Sequence, residues 1–283
     1  MREMVFRHMV RTRGWKYKAF LRYLRLFKYF AFAPVRGAFL ESYYTLMRYL
    51  DDIVDGDAPL PEGFLDGSEY LRQKILFSKE LRNPQDPVDY LMLHCFDLGD
   101  RFGAQFQSET EDILNSLLFD ARRRGRLEIF SKHELAHHFH VLDIRGTIRA
   151  TLKVFKEDPD KYLLLEPLGM ASRYQFDLED LETDLEAGYV NISKEECAHF
   201  HIEPTDFTNT QAESIQKWKR HRAQEGLNLL GKHHSLVSKG NFSMLARATF
   251  PLVYEYPAKK VFREVLAQTS WLQERQRKIY VQS

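Results

Sequence analysis

The stretch from Tyr43 to Asp55, YYTLMRYLDDIVD, constrains this chain more than any other. Leu46, Leu50 and Ile53 recur at helical spacing and no Pro or Gly interrupts them, so the pattern predicts a helix. On such a helix Tyr44, Arg48, Asp51 and Asp55 stand at i, i+4, i+7 and i+11 and share one face, with Asp52 beside them. Carboxylates a turn apart repel one another, so the arrangement calls for a positive group between them. Mg²⁺ suits that gap, because it takes one or two carboxylates from a protein and completes its shell with water and phosphate oxygens. The competing reading is a solvated acidic helix end.

A second acidic stretch lies about 125 residues further on: RYQFDLEDLETD, in which Arg173, Asp177, Asp180 and Asp184 repeat nearly the same spacing. Read as a second helix face, it could oppose the first across a cavity. The two stretches, in this order, resemble the paired aspartate motifs of the squalene and phytoene synthase family. TLMRYLDDIVD is similar to its first motif, an Arg followed by DDxxD, and LGMASRYQFDLEDLETDLEAGYVNIS is similar to its second. The looser likeness runs from about Leu21 to Val265.

The resemblance implies an all-α chain, one isoprenoid synthase-like domain over residues 1–283 built around a central cavity. It implies Mg²⁺ held by Asp51, Asp52, Asp55, Asp177, Asp180 and Asp184, with Asp51, Asp55, Asp180 and Asp184 serving catalysis. Tyr44, Arg48, Arg149, Arg173 and Phe176 would meet the substrate, a prenyl diphosphate. In the family's main reaction one prenyl diphosphate ionises and a second attacks head to head. NADPH enters only where the product is squalene, and no nucleotide-binding fingerprint is present, although family members bind NADPH without one.

Departures from the family pattern cluster in the second half. Phe176 stands where the family has Asn, and Glu179 where it has Arg. Asp177, three residues before Asp180, offers the oxygen that Phe176 lacks. In HVLDIRGTIR the family's first small residue survives as Gly146, whereas His140 and Arg149 replace a Tyr and the second Gly. Arg149 would narrow a prenyl tunnel, bind a second anionic or polar group, or snorkel outward. These changes motivate a second reading, a transferase that moves a prenyl group to a different small acceptor such as an aromatic. A third reading is a non-catalytic scaffold, against which the retained aspartates count.

Composition agrees with a helical fold: 283 residues contain only 14 Gly and 10 Pro. A net charge of +1 gives no bulk preference for nucleic acid. Cys95 and Cys197 are too few for a disulfide framework, which suits a reducing cytosol. No apolar run approaches the roughly eighteen residues of a membrane span. The first thirty residues carry nine Lys or Arg against one Glu, interleaved with aromatics. This segment reads as an amphipathic helix that touches anionic lipid, as a cationic flap over diphosphate, or as an ordinary surface helix. The expected location is the cytoplasm, with peripheral membrane association through that segment.

Further helices are predicted near residues 65–82, 86–106 and 109–124, then from Thr210 to Ser238 and Ser243 to Ile279, with Ser193 a cap followed by Glu195 and Glu196. Pro251 and Pro257 should kink or break the last helix. Trp218, Phe242, Phe250, Tyr254 and Tyr256 are candidates for an apolar cavity or plain core. His133, Glu134 and His137 spell HExxH, but Ser131 just ahead is a plausible N-cap. The motif therefore opens a helix instead of sitting inside one as a zinc site would require.

Overall fold

The long helix expected around the first acidic stretch forms, from Pro34 to Val54 (α1). Pro34 starts it, where a missing N–H costs nothing, and Asp55 is its C-cap. The computed structural model describes Leu24, Phe27 and residues 33–268. The basic N-terminal stretch, apart from those two residues, and the segment beyond 268 lie outside the described residues.

After α1 come α2 (Gly67–Glu80), α3 (Pro87–Arg101) and α4 (Gln107–Arg123). Asp66 caps α2 by accepting from the Glu69 N–H, and Asp86 caps α3 by accepting from Val88 and Asp89. α5 (Lys132–Phe139) opens with a capping box between Ser131 and Glu134 and runs directly into a π-helical stretch, His140–Ile148, then α6 (Arg149–Phe155). α7 (Tyr162–Glu179), α8 (Leu181–Glu186) and α9 (Lys194–Phe200) come next, the last behind a second capping box made by Ser193 and Glu196. α10 (Glu213–Val237) and α11 (Met244–Phe250) lead through a second π stretch, Pro251–Glu255, into a helix over 256–268, α12. Among the described residues there is no strand, only an isolated bridge between Glu128 and Tyr189.

Two expectations are corrected. Pro251 ends the α-helical geometry at Phe250, but neither it nor Pro257 stops the helical run. The chain absorbs Pro251 by widening to π geometry, in which the Tyr256 N–H reaches the Pro251 carbonyl. The second acidic stretch is not one helix: α7 ends at Glu179, Asp180 leaves helical geometry with φ −102° and ψ 5°, and Asp184 stands on α8.

The chain packs as two compact units, Met1–Arg122 with Arg145–Pro159, and Arg123–Ile144 with Asp160–Ser283. In the first, α1 lies along α3, and Phe39 stacks on both Tyr43 (5.0 Å) and Phe106 (4.0 Å), which are 5.9 Å from each other. Lys74 is fully buried there, bridging Asp86 (2.7 Å) and Asp89 (2.5 Å), so α2 and α3 are joined by charge as well as by apolar contact. In the second, α10 packs along α7, and Trp218, Leu168 and Ala171 are among the residues closed off from water.

Gly226 in α10 allows the fully buried ring of Phe262 to come close: a Cβ at 226 would lie 2.2 Å from Phe262 Cζ. Helix propensity alone would make Gly226→Ala stabilising by about 1 kcal/mol. The clash outweighs it, because overpacking a closed core costs about 1–3 kcal/mol. Chemical denaturation should therefore show G226A less stable than the parent, with stability recovered in G226A/F262L. A stabilised single variant would show the contact to be loose.

Candidate functional site: two arginine-bridged aspartate clusters

At the end of α1, Arg48 sits between the carboxylates. Its Nη1 lies 2.7 Å from Asp51 Oδ2 and its Nε donates to Asp52 Oδ1 at 3.2 Å. Tyr44, Arg48, Asp51 and Asp55 are all half-buried and form the expected common face. Asp52 is fully buried on the interior side. Its charge, with that of Asp86 and the effect of burial, raises the Tyr49 hydroxyl pKa, burial being the largest cause. Asp55 lies just past the helix, where its own N–H closes the last turn on the Asp51 carbonyl at 2.8 Å.

The same unit holds a group of charges that the motifs do not show. Glu109 on α4 is fully buried, with Lys153 Nζ 2.7 Å from Oε2 and Arg149 Nη1 3.5 Å from Oε1. Arg145 Nη2 donates to Asp112 Oδ1 at 3.0 Å. Burial raises the Asp112 carboxyl above its ordinary range, against the pull of Arg145. Arg149 thus lies in a partly buried ion pair and does not snorkel outward. The readable signal was the four-residue spacing of Arg145, Arg149 and Lys153; Glu109, 40 residues from Arg149, carries none.

In the second unit Arg173 Nε donates to Asp177 Oδ1 at 2.9 Å, and its guanidinium lies over the rings of Phe139 (4.9 Å) and Phe176 (5.8 Å). Asp177 is 1% exposed, and its Oδ2 is buried without a hydrogen-bond partner. Phe176, the neighbour in sequence, is 42% exposed. Asp180 is exposed at the junction between helices, and Asp184 is half-buried. Asp184 Oδ2 accepts from Asn191 Nδ2 at 3.0 Å, and Asn191 Oδ1 accepts from Arg123 Nη1 at 2.8 Å. Burial, aided by the charges of Asp177 and Asp180 and opposed by Arg173 and Arg123, pushes the Asp184 carboxyl up to about 7.

Beneath this cluster Arg222 is buried, paired with Glu196 at 2.9 Å and held over the rings of Tyr174 (4.2 Å) and Trp218 (5.2 Å). Asp177 and Glu196 hold its guanidinium in the charged form against desolvation. Trp218 is therefore part of an ion-pair lining. Phe242 and Phe250 do line a cavity, with Leu165, His233 and Val237, but at about 50 Å³ it is far below the several hundred Å³ of a typical ligand pocket. Tyr256 is exposed.

Glu134 of the HExxH string is spent on its helix N-terminus, its carboxylate accepting from the Ser131 N–H at 2.8 Å and from the Ser131 hydroxyl at 2.7 Å. Among the described residues no three His, Cys, Asp or Glu side chains are gathered into a ready-made cation cage.

No protein-family model matches the sequence, and no curated protein matches it. Solved structures do. Squalene synthase HpnC from Alicyclobacillus acidocaldarius superposes with a TM-score of 0.63 over 88% of this chain and 93% of that one, at 14% identity. A dehydrosqualene synthase in complex with ligand matches at 18% identity over 92% and 98%, with a TM-score of 0.49. The chain has the all-helical isoprenoid synthase fold.

Proposed function

We propose that this protein is a prenyltransferase that ionises a prenyl diphosphate and joins the prenyl group to a second molecule, most simply a second prenyl diphosphate in a head-to-head condensation. The observation that carries this reading is the repeated construction Arg–carboxylate–carboxylate, at Arg48/Asp51/Asp52 and at Arg173/Asp177/Asp184, in a chain with the fold of a squalene synthase. A chain that kept only the scaffold would have no reason to keep both.

The donor chemistry suits Mg²⁺, although the described carboxylates are not gathered into a cage and would have to draw together on an ion. The donors are hard carboxylate oxygens, the buried Oδ2 of Asp177 accepts no hydrogen bond, and mutual repulsion within Asp177, Asp180 and Asp184 would be relieved by a divalent cation. In this reading Asp51 and Asp55 hold the ion at the first group, and Asp177, Asp180 and Asp184 at the second. Bound Mg²⁺ would neutralise charge on a departing diphosphate. Arg48, paired with Asp51 and Asp52, and Arg173, paired with Asp177, would turn toward phosphate oxygens. The faces of Phe139 and Phe176 beside Arg173 would shield an allylic cation from water. Exposed Phe176 also favours the second reading, in which an aromatic acceptor stacks on that ring.

Incubation with Mg²⁺ and fifteen- or twenty-carbon prenyl diphosphates, followed by mass analysis of the organic extract and assay of released diphosphate, tests the proposal. A thirty- or forty-carbon product is expected. Diphosphate release that depends on an added aromatic acceptor would select the second reading, and neither product nor release would refute both. Asp177→Ala should raise the Mg²⁺ needed for half-maximal turnover about 10-fold or more while leaving prenyl-chain selectivity alone.

Asp184 gives a test without turnover. Its pKa in the folded chain is about 7 against an ordinary 3.8, so between those values the folded state binds the extra proton. The associated stability is complete below about pH 4 and is lost as pH rises through 7. Asp184→Asn should remove that loss and be the more stable protein at pH 8 by about 1–2 kcal/mol, with the difference vanishing toward pH 4. Added Mg²⁺ should stabilise the parent more at pH 8 than at pH 5.5, as thermal melts will show.

A further inference from the structure

We infer that Asn191 and Arg123 are positioning residues that aim the Asp184 carboxylate, an inference that rests on the magnesium-binding role proposed above. The chemistry of the contact admits few substitutes. Arg123 only donates, so the oxygen of the Asn191 amide must face it, at 2.8 Å, and the NH₂ must then face Asp184, at 3.0 Å. A side chain at 191 has to accept from a cation on one side and donate to a carboxylate on the other. Asp would accept but repel, Ser could not span both, and Leu would do neither.

The backbone fixes both ends of this relay. The chain after Arg123 runs beside the chain before and after Asn191: Gly125 N–H donates to the Ala187 carbonyl (2.9 Å), Leu127 N–H to that of Gly188 (3.1 Å) and Lys194 N–H to that of Phe130 (2.8 Å). The approach is so close that a Cβ on Gly188, which has φ +83°, would stand 2.4 Å from Gly125 Cα. The Arg123 guanidinium lies over the Tyr189 ring at 5.0 Å, between the two loops. Asn191 is 5% exposed, and its own carbonyl faces Arg222 Nη2 at 3.4 Å. Arg222 thus holds the main chain of Asn191 while Arg123 holds its amide oxygen, and the amide is not free to rotate away from Asp184.

A buried amide whose two ends are spoken for costs conformational freedom and contributes nothing to an apolar core, so its value lies in the carboxylate it orients. Partners of this kind behind a metal ligand typically change metal affinity by 10–100-fold. The test uses the full-length protein with Mn²⁺ titrated as a spectroscopic stand-in for Mg²⁺, read by the loss of the free-ion paramagnetic resonance signal, together with turnover. N191A should weaken Mn²⁺ binding by at least 10-fold and lower kcat with KM for the prenyl diphosphate within about twofold. N191A in a D184N background should add nothing further. Arg123→Gln, which keeps an amide donor in place of the guanidinium, should weaken Mn²⁺ binding by a smaller factor of about 3–10, and it decides the matter if N191A fails to fold. Parent-like Mn²⁺ affinity in the folded variants, with the parent binding and turning over, overturns the relay and leaves the proposed function standing. A parent that neither binds Mn²⁺ nor releases diphosphate overturns the proposed function and the relay with it.

Discussion

Carboxylates placed a helical turn apart repel one another, and in both acidic motifs of this chain an arginine from the preceding turn offsets that repulsion. Arg48 reaches Asp51 and Asp52 from the preceding turn, and Arg173 reaches Asp177 in the same way. Each arginine is a resident counter-ion. It offsets the repulsion between neighbouring carboxylates within the folded chain. Burial sharpens the effect in unequal measure: Asp52 and Asp177 are sealed, whereas Asp51, Asp55, Asp180 and Asp184 keep access to water. The sealed members set the geometry and the accessible ones remain able to change partners.

How much of this could be read from the sequence depended on distance along the chain. The helix holding Asp51, the caps Ser131 and Ser193, and the diversion of Glu134 to a capping box are all set by residues within four positions of one another. The paired motifs were legible as a pattern, and with them the fold. Pairings that join residues from different elements left no local trace: Lys74 with Asp89, Glu109 with Lys153, Arg123 with Asn191. Asn191 in particular reads as a loop residue, and nothing in its neighbourhood signals that its amide must serve a cation and a carboxylate at once.

The π stretch from His140 to Ile148 was legible in place but not in form. The sequence marked HVLDIRGTIR only by its departures from the family pattern at His140 and Arg149. There the chain widens the helix for nine residues before α6 begins. A wider turn resets the register of the next helix, and here that register carries Arg149 and Lys153 onto the buried Glu109. Local periodicity could not distinguish this from an ordinary α-helix, since α and π turns draw on the same residue types and differ only in which carbonyl each N–H finds.

The exchange of a polar residue for Phe176 looks at first like the loss of a ligand, and Glu179 like a surplus of negative charge. The structure separates the two. One step along a helix turns a side chain by about 100°. That step takes the carboxylate of Asp177 to the buried side of α7, where Arg173 and Arg222 face it, and leaves the Phe176 ring on the exposed side. Glu179 also stays exposed and accepts a hydrogen bond from Gln175 at 2.8 Å, so water screens its charge. The groups that remain near Asp184 form a balanced set, with Asp177 and Asp180 opposed by Arg173 and Arg123. Phe176 and Glu179 therefore leave the charge balance around Asp184 in place. The second motif carries one oxygen on the buried side of α7 and an aromatic ring on the exposed side, one residue apart.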